Sequence, residues 1–286
     1  MDKSGLSNII NPLTPYLISD FYMSDEIMDN NVWKDKFDKS LIKGINLLEI
    51  YDYSIVKDYD VIQCQISLLS FFYYDILPHL EDKKIILLTT QYKSPCLIES
   101  SITEEILKNP SIFLWASHNH IYKNGKCINF PYGIDSNKVN FYYKFINNNK
   151  IRKKIEIPRL KLTIQNNLTE GHVRIEYPIL GIESGQYLYY YDYLKTILES
   201  KFALSPEGEN PDCSRHYECI GLGCVPICNV DMRKMFGDNM LYSTPEEMTK
   251  FIEFGEVFQK WKRPSKNIIL RNYWESRLKD KINKME

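Results

Sequence analysis

The chain carries almost no net charge. Lys and Arg total 36 against 37 for Asp and Glu, a formal balance of -1. A general nucleic-acid binder would need a basic excess, so no nucleic-acid partner is expected, with only a local basic patch left open. Long hydrophobic runs are also missing. The most apolar stretch, Ile66 to Leu77, is short and interrupted by Asp75, which excludes an integral membrane segment there. The first residues, MDKSGLSNII, lack a signal-peptide pattern. The seven cysteines (Cys64, Cys96, Cys127, Cys213, Cys219, Cys224 and Cys228) are odd in number and form no CxxC. Free thiols in a reducing compartment fit that usage, so a soluble cytoplasmic protein is the expectation. The sequon Asn167–Leu168–Thr169 then has no consequence. No P-loop, HExxH, GxSxG, internal repeat or low-complexity tract occurs.

What is present is an ordinary globular composition, 44% hydrophobic and 26% charged over 286 residues. That length suits one large domain or two of common size. Apolar runs bounded by polar residues read as strands at Tyr16–Ser19, Asn46–Ile50, Asp60–Gln65, Lys84–Thr89 and Ile112–Ser117. Helical spacing falls between them, at Val32–Lys43, Leu68–Leu80 and Ile102–Lys108, the last with Thr103 as its cap. The uninterrupted run KIILLT suits a parallel sheet covered on both faces. The Asn- and Lys-rich segment 136–160 breaks the alternation. A boundary there gives domains 1–155 and 156–286, with the C-terminal helix free to pack back on the first.

The densest stretch is Phe202 to Cys228, FALSPEGENPDCSRHYECIGLGCVPIC. It reads as strand, polar turn, helix and strand, with Ser214 or Asp212 as the helix cap. In α/β units a ligand sits beyond the carboxyl end of the strand, where the helix begins. Ser205, Pro206, Glu207, Gly208, Ser214 and Arg215 lie there. A guanidinium pairs bidentately with phosphate oxygens, and a helix N-terminus adds N–H donors. Glu218, one turn on, shares a face with Arg215 and suits the ribose hydroxyls. As an isolated pair they would be a solvated ion pair; the turn before and GxGCVP after favour a nucleotide site. Gly221–Leu222–Gly223 closes a helix rather than opening one, so it is a C-terminal cap and no dinucleotide fingerprint. An NAD-dependent oxidoreductase is disfavoured on that ground.

Other candidates are sparser. Arg174 follows a strand and a polar loop, as Arg215 does, and is a second phosphate cation or a solvated arginine. His118 and His120 follow a strand in the first half, and Asp135 sits in the turn FPYGID. Each could deprotonate a hydroxyl, or be an ordinary loop residue. The spacing Cys213–His216–Cys219 lacks a fourth zinc ligand and reads as buried thiols. Asp58–Tyr59–Asp60 precedes a strand, so it is a turn and no metal–diphosphate DxD.

The pattern Phe202, Pro206, Gly208, Arg215, Glu218, Gly223, Cys224, Pro226 and Ile227 resembles the exostosin-like glycosyltransferases over about 27 residues. FPYGID, the segment Leu162 to Arg174 and the pair Tyr273–Trp274 are similar to further family features. The resemblance implies a GT-B architecture, an α/β fold of two Rossmann-like domains with parallel sheets facing a central cleft. It implies a nucleotide-sugar donor as substrate, no cofactor, no obligatory metal, and an acceptor that is a glycan, a protein or a small molecule. Arg215 and Arg174 would hold the diphosphate, Glu218 the ribose, and in-line attack would invert the anomeric centre. The alternative is a non-catalytic nucleotide or nucleotide-sugar binder on the same fold.

Overall fold

The computed structural model describes residues 4–24, 39–90, 100–119, 123–148, 188–208, 210–244, 246–247 and 262–285. The chain divides into two units, Met1–Asn140 with Arg271–Glu286, and Phe141–Leu270. Each is α/β and built on a parallel sheet.

In the first unit, β1 (Phe21–Met23), β2 (Ile45–Asn46), β3 (Val61–Gln65), β4 (Ile85–Thr90), β5 (Ile112–Ser117) and β6 (Cys127–Asn129) form a six-stranded sheet in the order β2-β1-β3-β4-β5-β6. Every pairing is parallel. The chain leaves β1 toward one edge and returns to build the other, so the order reverses between β1 and β3. All six residues of β4 are buried, the pattern of a central strand covered on both faces. Alternation along the strands separates the two faces. One carries Met23, Ile62, Cys64, Leu87 and Trp115 into a core shared with Phe72, Ile76, Leu80 and Ile106. Helices α1 (Ser4–Asn8) and α2 (Thr14–Ile18) precede the sheet, and α3 (Ser101–Lys108) precedes β5. The turn at Gly133 has φ +83, and a Cβ there would overlap the Ile10 carbonyl. Only glycine fits that approach.

Several expectations are corrected. Tyr16–Ser19 is the end of a helix, because Pro15 sits in its first turn and the Asn11 side chain accepts from the Leu13 N–H before it. Tyr16 is buried and its hydroxyl accepts from Gln65. Of the 46–50 run only Asn46 is strand, as the last residue of β2; Leu47–Glu49 turns into a 3-10 helix capped by Asn46. The expected helix at 68–80 is a mixed run of 3-10, α and π turns over residues 66–80. Ser100, in extended backbone, caps α3 in place of Thr103. The Val32–Lys43 helix lies mostly outside the described residues. Asp58–Tyr59–Asp60 is a turn with Tyr59 at φ 67. Its carboxylates accept backbone N–H groups of Lys84 and Lys57.

In the second unit, β7 (Phe202–Leu204), β8 (Val225–Cys228) and β9 (Leu241–Tyr242) form a parallel sheet in the order β7-β8-β9. Helices α4 (Val139–Asn148) and α5 (Tyr190–Glu199) precede β7, α6 (Ser214–Gly221) lies between β7 and β8, and α7 (Arg233–Phe236) between β8 and β9. Gly223, at φ 73, ends α6, and the N–H of Cys224 returns to the carbonyl of Cys219. This is the expected C-terminal cap. The last helix, α8 (Arg271–Met285), belongs to the first unit and packs on α1, burying Trp274 and Leu278.

Candidate functional site

The stretch 202–228 folds as strand, loop, helix and strand, with β7 and β8 adjacent and parallel. The loop after β7 therefore lies at the carboxyl end of the sheet, where α6 begins. Corrected here is the cap: Cys213 occupies the N-cap position and makes no side-chain cap bond. Asp212 is instead buried and accepts from the Tyr217 hydroxyl at 2.8 Å. Ser214 is the first residue of the helix and is half-buried.

His216 fastens the loop from inside. It is fully buried, with Nδ1 2.7 Å from Ser205 Oγ and Nε2 2.8 Å from the Pro211 carbonyl oxygen. A carbonyl only accepts, so Nε2 carries the proton. The sulfurs of Cys213 and Cys228 lie 3.6 and 3.9 Å from the same Nε2. One ring thus joins the end of β7 to the start of α6. Pro206 is buried. Glu207 and Asn229 exchange two hydrogen bonds, at 2.9 and 2.8 Å, so the Glu207 carboxylate shapes the loop. The Gly208 N–H donates to the Asn210 carbonyl at 3.0 Å.

Glu218 is 4% exposed. Its two carboxylate oxygens accept from Tyr190 at 2.9 Å and Tyr193 at 2.7 Å. Both tyrosines stand on α5, three residues apart, in the stripe that also buries Leu194, Ile197 and Leu198. Burial, with the adjacent Glu218 charge, pushes both phenols well above their usual range. They stay protonated and act as donors. Their rings lie 6.0 Å apart, stacked at 24°, and Phe141 of α4 adds a tilted contact to Tyr190. The Arg215 guanidinium lies over the Tyr193 ring, 5.7 Å from its centroid. From the other side, the Tyr142 hydroxyl donates to the Glu218 carbonyl at 2.9 Å. The structure therefore gathers Arg215, Glu218, Tyr190 and Tyr193 around the first turns of α6. The two tyrosines were missed from sequence. The available signal was their position at the head of the i, i+3, i+4 stripe that continues through Leu194, Ile197 and Leu198.

The candidate bases fare differently. His118 directly follows β5 and is 2% exposed, packed between Phe130 and Tyr132. It is not the open loop histidine expected. Among the described residues, neither ring nitrogen makes a well-formed hydrogen bond. Burial pushes its pKa down to about 4, the Pro131 backbone opposing the shift. Asp135 is half-buried, and its side chain accepts from the Asn137 N–H at 2.8 Å, which makes it a turn former. His120, Arg174 and the segment Leu162 to Arg174 lie outside the described residues. Among the described residues no group of three His, Cys, Asp or Glu is placed to hold a metal ion. No described helix is long and apolar enough to cross a membrane.

The family model described as RXYLT1 C-terminal domain matches residues 182–286. That family is a xylosyltransferase family. The C-terminal part of this chain is thus related to glycosyltransferases. The match spans α5, the 202–228 unit and α8, and so contains every member of the Glu218 cluster except Phe141 and Tyr142. It does not single out the exostosin-like family that the motif resembles. No curated protein matches the chain.

Proposed function

We propose that the protein is a glycosyltransferase that moves a sugar from a nucleotide-sugar donor to an acceptor hydroxyl, on a GT-B fold of the exostosin-like kind. One observation carries this reading. The part of the chain related to a xylosyltransferase family places an arginine and a carboxylate one turn apart, beyond the carboxyl end of a parallel strand, at the start of a helix. Arg215 and the α6 N–H groups suit a diphosphate leaving group, whose developing charge they would stabilise. Glu218 suits the ribose. Arg174 is the proposed second cation. A metal-independent, inverting displacement follows from the exostosin-like resemblance, with His118, His120 and Asp135 as the candidate bases. His118 is in its neutral, proton-accepting form at pH 7, though its buried ring holds a proton weakly.

The test is a thermal-shift and titration screen with nucleoside diphosphates and nucleotide sugars. The expected outcome is a preferred nucleoside diphosphate. Arg215→Ala and Glu218→Ala should each weaken it roughly ten- to a hundredfold, the loss of a hydrogen bond to a charged group. Wild-type affinity in both variants would remove this site assignment.

A further inference from the structure

Tyr193 touches both proposed donor-binding side chains. Its hydroxyl donates to Glu218 Oε2 at 2.7 Å, and its ring lies under the Arg215 guanidinium, 5.7 Å from centroid to Cζ. Tyr190 reaches only the carboxylate among these contacts, at Oε1. Two donors, one on each oxygen, set the plane of the carboxylate. The flat face of Tyr193 likewise limits the directions open to a guanidinium packed on it.

We infer that Tyr193 is a positioning residue that sets the ribose-binding carboxylate and the diphosphate-binding guanidinium in one register, with Tyr190 assisting on the carboxylate alone. The inference rests on the nucleotide-sugar reading above. It makes α5, which carries no nucleotide motif, a determinant of ribose over deoxyribose.

The two functions of Tyr193 separate by substitution. Tyr193→Phe keeps the ring and removes the hydroxyl. Tyr193→Leu removes both. Tyr190→Phe removes only the other donor. The probes are UDP, ADP, GDP and CDP, their 2′-deoxy counterparts and the matching nucleosides, titrated calorimetrically. Wild type should prefer the ribonucleotide by roughly tenfold, one hydrogen bond to a charged group. In Tyr193→Phe and Tyr190→Phe that ratio should fall below about threefold, while the preference for diphosphate over nucleoside is kept. In Tyr193→Leu both ratios should fall. A purely structural tyrosine would lower the unfolding temperature and shift all affinities together. Unchanged ratios in folded Tyr193→Phe therefore overturn the positioning role. Should that variant not fold, Tyr190→Phe alone decides the carboxylate half of the inference. Wild-type protein that binds every probe without ribose preference overturns the role of Glu218 and this inference with it. Wild-type protein that binds none of them overturns the nucleotide reading itself.

Discussion

Two buried ionisable side chains meet opposite environments. Glu218 sits in polar company, with two phenol donors on its oxygens. Removing one donor from a buried carboxylate costs more than the bond itself contributes, because the charge is left poorly solvated. The His118 ring packs between Phe130 and Tyr132, and its burial favours the neutral imidazole and lowers its pKa to about 4, against the opposing Pro131 backbone. The linkage follows directly. Below about pH 6.5 the unfolded chain takes up a proton at this position and the folded chain does not. Stability should therefore fall as pH drops toward 4, by up to about 3 kcal/mol, and level off below that. Denaturant unfolding across that range should show a shallower decline in His118→Gln than in wild type. Equal slopes would mean that the ring is hydrated or partnered in solution.

At the scale of elements, α6 is held from both ends. His216 ties its first turn to β7, and Tyr142 caps carbonyls near its end. Gly221 makes the second contact possible. A Cβ there would overlap the Tyr142 hydroxyl and come within 2.7 Å of Ile269 Cδ1. Helix propensity alone would favour alanine by about 1 kcal/mol. Overpacking a buried site costs about 1–3 kcal/mol and should win. Gly221→Ala is therefore expected to lower the urea midpoint of unfolding, and a raised midpoint would show that Tyr142 moves aside freely.

Much of this architecture was legible in the chain. β3, β4, β5, β7 and β8 are short apolar runs flanked by polar residues, and sequence and structure agree on them within a residue or two. Tyr16–Ser19 failed because three consecutive apolar residues serve a helix or a strand equally well. Pro15 was the deciding signal. Arg215 and Glu218 were legible because helix spacing is local. Tyr190 and Tyr193 were not, since they reach Glu218 from 28 and 25 residues away and belong to no motif of their own. The burial of His118 was equally hidden. A polar residue just past a strand reads as a loop, and only the packing of Phe130 and Tyr132 encloses it.

Over the whole molecule, the two α/β units carry different signals. Among the described residues, the first has the larger sheet and the buried His118. The second has the family match, the anchored loop and the Arg215–Glu218 pair. Binding and turnover are therefore separate questions, and a binder that had lost its chemistry would pass every affinity test above. Turnover decides between them. Purified protein should be incubated with a panel of nucleotide sugars and candidate acceptors, or water as acceptor, and released nucleoside diphosphate quantified by mass spectrometry. A glycosyltransferase consumes at least one donor catalytically, and Glu218→Ala slows it by at least roughly tenfold. Tight nucleoside diphosphate binding with no donor consumed under any pairing would contradict that function.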